Sequence, residues 1–151
     1  MVGDFLTVTL LLEDVSNLYG ADMHLAFDPN ILEVVDAEPR REGMQVRHGL
    51  LPDPAQSVVP RDAADNAAGT VHYAISLKAP AQPANGRGAL CTITFHVKAP
   101  GFSPLSLVSA MLVDRNARSL PVGSSDSWVR VSPRHLLYLP SLIKTTIRAL
   151  P

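Results

Sequence analysis

The sequence predicts an all-β antiparallel sandwich, and three observations carry that reading. Side-chain character alternates with a period of two through the main apolar runs. Pro and Gly recur between those runs as turn signals. No stretch shows an apolar repeat of 3.6 with helix caps. Nine strands are expected, at 4–12, 18–27, 31–37, 44–47, 57–60, 70–77, 89–98, 104–113 and 128–131.

The elements follow in order. In FLTVTLLL (5–12), Leu6, Val8, Leu10 and Leu12 form a uniformly apolar face that should enter the core. Glu13-Asp14 is expected to end that strand, and Ser16-Asn17 to turn the chain. In YGADMHLAF (19–27), Ala21, Met23, Leu25 and Phe27 alternate with Asp22, His24 and Ala26, as in a half-buried strand. Asp28-Pro29-Asn30 is a turn signal, because proline presets φ and Asp and Asn bond their own backbone. Residues 39–69 hold four prolines and the polar run RDAADNAAG, so they read as loop with two short strands. TVHYAISL (70–77) points Val71, Tyr73, Ile75 and Leu77 inward and His72, Ala74 and Ser76 outward. APAQPANGRG (79–88) reads as a long loop. ALCTITFHV (89–97) assigns Ala89, Cys91, Ile93, Phe95 and Val97 to the core and Leu90, Thr92, Thr94 and His96 to the surface. Apolar strands at 104–113 and 128–131 complete the domain, expected to span residues 1–132.

Residues 133–151 differ in character. They carry Arg134, Lys144 and Arg148 and no acid, and Pro140 interrupts any helix through their leucines. They are expected to form an apolar, basic C-terminal tail outside the sandwich.

Composition bounds the function. The chain has 151 residues, 46% hydrophobic and 18% charged, which suits a domain with a real core and excludes a disordered chain. A net charge of -1 gives no field that favours nucleic acid. The single Cys91 excludes an internal disulfide framework and a cysteine-rich zinc site. No apolar run reaches the roughly 20 residues that span a bilayer. Met1 leads at once into a strand pattern, so the chain reads as a fragment whose export signal would lie outside it.

Tests for chemistry mostly fail. G-x-S-x-G, the P-loop and G-x-G-x-x-G are all missing, and Cys91 falls on a core face. No catalytic residue and no enzyme activity are expected. The five histidines lack metal-ligand spacing. His24 and His72 share an outward face and could meet if their strands pair, but they read as surface histidines, so no metal is expected. Asp62, Asp65 and Asn66 form an acidic loop without the glycine and terminal Glu of a calcium helix-loop-helix site. Aromatic residues are only 5%, with Phe5 and Trp128 left for the surface, so a sugar-stacking platform is weakly supported.

Four segments together resemble a cohesin domain. DVSNLYGADMHLAFDPNILEVVDAEP (14–39) is similar to its second and third strands and the D-P-N turn between them. GTVHYAISL (69–77) is similar to the sixth strand, and GALCTITFHVK (88–98) to the seventh. SLVSAMLVD (106–114), followed by Leu120-Pro121-Val122, is similar to the eighth strand and its exit. The resemblance runs in order through residues 2–132.

The resemblance implies a nine-stranded jelly-roll sandwich and a non-catalytic interaction module. Its partner would be a dockerin, a small helical module with two calcium loops, so calcium would sit on the partner and no cofactor on this chain. Contact would fall on one sheet face, built by the strands matching 18–27, 57–60, 70–77 and 104–113. On the alternation, the outward residues there are Asp22, His24, Ala26, His72, Ala74, Ser76, Ser106 and Val108. Asp22 matches a position where cohesins often carry a recognition Asp. The implied setting is extracellular or at the cell surface, in assemblies that degrade polysaccharides or decorate the cell. The tail run LLYLPSLIK resembles a terminal stretch of bacterial surface or secreted proteins. A carbohydrate-binding module and a structural spacer of a surface protein are the competing readings of the same fold.

Overall fold

The computed structural model describes residues 2–40, 46–125, 127–131 and 144–149. Two β-sheets face each other across one core. The first carries β1 (Phe5–Leu18), β3 (Leu32–Val35), β4 (Arg47–His48), β7 (Ala84–Val97), β10 (Val122–Ser125) and β12 (Lys144–Ala149). Its order is β10-β12-β1-β7-β3, with β4 also on β7. The second carries β2 (Gly20–Ala26), β5 (Ser57–Asp65), β6 (Thr70–Leu77), β8 (Gly101–Val113), β9 (Ser119–Leu120) and β11 (Ser127–Val131). Its order is β11-β8-β2-β6-β5, with β9 also on β8. The chain crosses repeatedly between the sheets, as in a jelly roll. The described residues hold twelve strands rather than nine, and their only helical element is a 3-10 turn at Pro54–Gln56.

The core is built by the alternation. Leu6, Val8, Leu10 and Leu12 of β1 face Met23, Leu25, Tyr73 and Ile75 of the second sheet, and all are buried. Phe27 meets Phe95 edge to face at 5.1 Å between ring centres, a favoured aromatic geometry. The Asp28-Pro29-Asn30 turn forms as expected: Asp28 Oδ1 accepts from the Asn30 N–H at 2.8 Å. Gly69 closes the β5–β6 turn at φ +73, where an added Cβ would lie 2.3 Å from the Phe27 carbonyl oxygen.

Four expectations need correction. Glu13-Asp14 does not end the first strand. β1 continues to Leu18 through register shifts against β7, with Asp14 and Asn17 at φ 55 and 58. These irregularities re-aim the chain so that Val15 and Leu18 both reach the core. Leu90 is buried rather than outward, because a further shift at Leu10/Leu11 breaks the parity of β7 beside Cys91. The run RDAADNAAG is half strand, since β5 extends to Asp65, and β7 begins at Ala84 inside the expected 79–88 loop. Of the expected strand 44–47, residues 44 and 45 lie outside the described residues.

The fourth correction concerns the tail. β12 runs parallel to β1 and antiparallel to β10, so it fills a central place in the first sheet. Ile147 is buried in the common core. The Arg148 guanidinium donates to Glu13 Oε2 at 2.8 Å and lies 3.4 Å from Asp14 Oδ2. Residues 144–149 therefore belong to the sandwich. The remainder of the expected tail, including Pro140, lies outside the described residues.

Candidate functional site

The outer face of the second sheet is a grid that its hydrogen-bonded register spells out. β5, β6, β2 and β8 lie side by side, and outward residues line up in four cross-strand rows. The first row is Val58, Ser76, Gly20 and Val113. The second is Arg61, Ala74, Asp22 and Met111. The third is Ala63, His72, His24 and Ser109, and the fourth Asp65, Thr70, Ala26 and Ser106. Gly and Ala at 20, 26, 63 and 74 keep the centre low, so a partner backbone can approach closely.

Asp22 organises the middle of this grid. Its carboxylate can only accept, so His72 carries a proton on Nε2 and donates it to Asp22 Oδ1 at 3.0 Å. His24 Nε2 lies 3.5 Å from the same oxygen. The two imidazoles face each other across the β2–β6 ladder and stack, with centres 3.8 Å apart and planes 25° apart. All three side chains remain partly exposed.

The residues expected on this face divide. Asp22, His24, Ala26, His72, Ser76 and Ser106 are half-buried on it, and Val108 is 69% exposed. The Ser76 hydroxyl already donates to the Leu77 carbonyl at 3.2 Å. Ala74 departs from expectation. It is buried, yet outside the core cluster, because its methyl lies between the longer Asp22 and Arg61 of its row.

Alternation missed Ser109 and Met111. β8 shifts register between the partners of His24 and Leu25, and Val108 is the extra residue. Beyond it the parity inverts, so Met111 points outward and is half exposed. Arg61 was missed because the expected strand 57–60 stopped short of it, whereas β5 runs on to Asp65 through a shift between Val58 and Arg61. Each shift places one more residue in the strand than strict alternation can accommodate.

Other candidates are absorbed by structure. Asp62 Oδ1 accepts from the Val46 N–H at 2.9 Å, and Asp65 Oδ1 accepts from the N–H groups of Ala67 and Ala68. Asn66 instead bridges to Val34 on the other sheet. The three side chains thus serve three separate backbone sites rather than one cation. Cys91 is wholly buried, and desolvation together with the nearby Asp62 pushes its thiol well above the ordinary range. It stays a protonated, unreactive thiol. Burial likewise raises the Tyr73 phenol, which is held 2.8 Å from His48 Nδ1.

This arrangement of sheets and outer face can be set against known proteins. The cohesin domain family matches residues 1–131. The chain belongs to the cohesin family. A type II cohesin dyad from the adaptor ScaA scaffoldin of Acetivibrio cellulolyticus superposes with a TM-score of 0.71 at 17% identity, over 87% of this chain and 45% of that one. This cohesin therefore spans under half of that two-domain chain. A single type II cohesin domain from the cellulosome of the same organism gives 0.65 at 17% identity, over 79% and 80% of the two chains. A type II cohesin–X-dockerin complex from that organism, an interface mutant, gives 0.66 at 14% identity, over 80% and 83%. A search of curated protein sequences returns no significant match.

Proposed function

We propose that this cohesin is a non-catalytic docking module, that its partner is a dockerin-type domain, and that the outer face of β8, β2, β6 and β5 receives it. The observation that carries the reading is where the exposed apolar side chains fall. Among the described residues seven large hydrophobics are exposed, and four of them, Val58, Phe102, Val108 and Met111, lie on this one face. A solvated sheet face would carry polar residues at such positions. Family membership supplies the partner class, and a similar structure is a cohesin–X-dockerin complex.

The face suits a helix. Gly20, Ala26 and Ala63 form a shallow floor, while Met111 and Val108 on one side and Arg61 and Val58 on the other form its walls. Asp22, His24 and His72 supply polar contacts at the centre. A charge at an interface centre must be paired, and Asp22 arrives already bonded to His72, which lowers the cost of covering it. Calcium belongs to the partner's loops in this reading, and the setting is extracellular or on the cell surface. Among the described residues no helix is long and apolar enough to cross a membrane.

The test is a pull-down of dockerins encoded in the same genome, with and without calcium. Calcium-dependent capture of at least one dockerin is expected. No capture of any of them would favour a spacer domain instead.

A further inference from the structure

We propose that Asp22, His24 and His72 form a binding site for a divalent transition metal of the zinc type. The site goes beyond dockerin docking and needs no partner, so its test is separate.

Three features of the geometry carry it. The first is convergence. One ligand atom from each side chain lies within 4.8 Å of the other two. Both Nε2 atoms turn toward the same carboxylate oxygen, at 3.0 and 3.5 Å. Zinc–ligand bonds of about 2.0–2.1 Å in a tetrahedron place neighbouring ligand atoms about 3.3 Å apart, so these separations are those of a tetrahedral edge. To take one ion, the two stacked rings, 3.8 Å apart between centres, splay apart so that both Nε2 atoms and the carboxylate converge on it.

The second feature is the frame. Asp22 and His24 are two residues apart on one strand and so share a face, and His72 stands directly across the ladder from His24. β2 is paired by β8 and β6, and β6 by β2 and β5, so the backbone that presents all three ligands is held in place. Ala63 and Ser109 flank the histidines in the same row and leave room for an ion above them.

The third is ligand chemistry. Two imidazoles and one carboxylate suit zinc, cobalt, nickel and copper, and do not suit calcium or magnesium, which take oxygen ligands. Three protein ligands leave the outward position for water, as in an open rather than a closed zinc site. Binding would displace the proton that His72 Nε2 donates to Asp22, so metal affinity should fall with acid.

Zinc should be titrated calorimetrically into the full chain at neutral pH, with calcium and magnesium as contrasts. One zinc per chain is expected, with neither hard cation competing. His24→Ala, His72→Ala and Asp22→Asn should each weaken zinc binding by at least about tenfold. Their circular-dichroism spectra should match wild type, because all three side chains point out of the core. His96→Ala removes a histidine paired with Glu33 on the other sheet and should change nothing. Cobalt, a paramagnetic substitute, should broaden the ring NMR signals of His24 and His72 first. Absent zinc binding would overturn the site, as would binding that survives the His24→Ala/His72→Ala double variant or is lost with His96→Ala.

Discussion

At Asn66 one amide stands in for a neighbouring strand. Its Oδ1 accepts from the Val34 N–H at 2.7 Å and its Nδ2 donates to the Val34 carbonyl at 3.1 Å. β3 pairs with β7 on its other side, so Asn66 closes the open edge of the first sheet and ties it to a turn of the second. Val34 is buried, and its freed backbone groups would find no easy replacement. Asn66→Ala should therefore cost about 1–3 kcal/mol in urea unfolding, and Asn66→Asp, which sets an acceptor oxygen against the Val34 carbonyl, should not rescue it. At Phe95 the expected effect is larger, because the ring is fully buried against Phe27. Phe95→Ala should lose about 3–5 kcal/mol; a loss below about 1 kcal/mol would contradict its place in the core. Residues of this kind were legible in part. Period-two alternation placed Met23, Leu25, Phe27, Tyr73, Ile75, Ile93 and Phe95 in the core, and all are buried. It failed at Leu90, Ala74 and Met111. Leu90 is itself the extra residue of a bulge and Met111 follows one, and a bulge leaves no mark in hydrophobicity, while Ala74 is covered by neighbours that only pairing reveals.

At the scale of elements, β12 decides the most. It joins β10 to β1, and its loss would expose both edges and uncover Leu10 and Leu12. Truncation before Lys144 should lower the melting temperature by many degrees, and Ile147→Ala should cost about 2–5 kcal/mol. Unchanged melting of both would return residues 144–149 to the status of an appendage. No local signal marks this strand. Its pairing with β1 joins residues far apart in sequence, and its charge resembles that of the segment before it. Pairing also explains the charge cluster at its end. The Arg148 hydrogen bond, aided by Arg87, holds the Glu13 carboxyl below its ordinary range. A carboxylate whose folded pKa is lowered adds stability above its unfolded pKa. That contribution disappears as pH falls through the folded value. Glu13→Gln should thus melt below wild type at neutral pH, with the gap closing in acid and narrowing in high salt. A gap that persists in acid would point to packing rather than charge.

For the whole molecule, the proposed function would separate stability from recognition. The first sheet carries the long β1–β7 ladder and the β12 closure, while the second presents a face with a low centre and apolar walls. Fold class and the strands of that face were legible in the alternation and in the resemblance to cohesins. Of the walls Val108 was legible, but Met111 was not, because it follows a bulge, nor Arg61, because it lies beyond the expected end of its strand. The most direct measurement is calorimetric titration of a cognate dockerin into wild type and Met111→Arg. Met111 is half exposed on the face, so arginine there should leave folding intact. It should weaken binding by about tenfold or more, near 1.4 kcal/mol, by setting a long charge where a helix must approach. Unchanged affinity in Met111→Arg, with the fold confirmed, would contradict the assignment of this face.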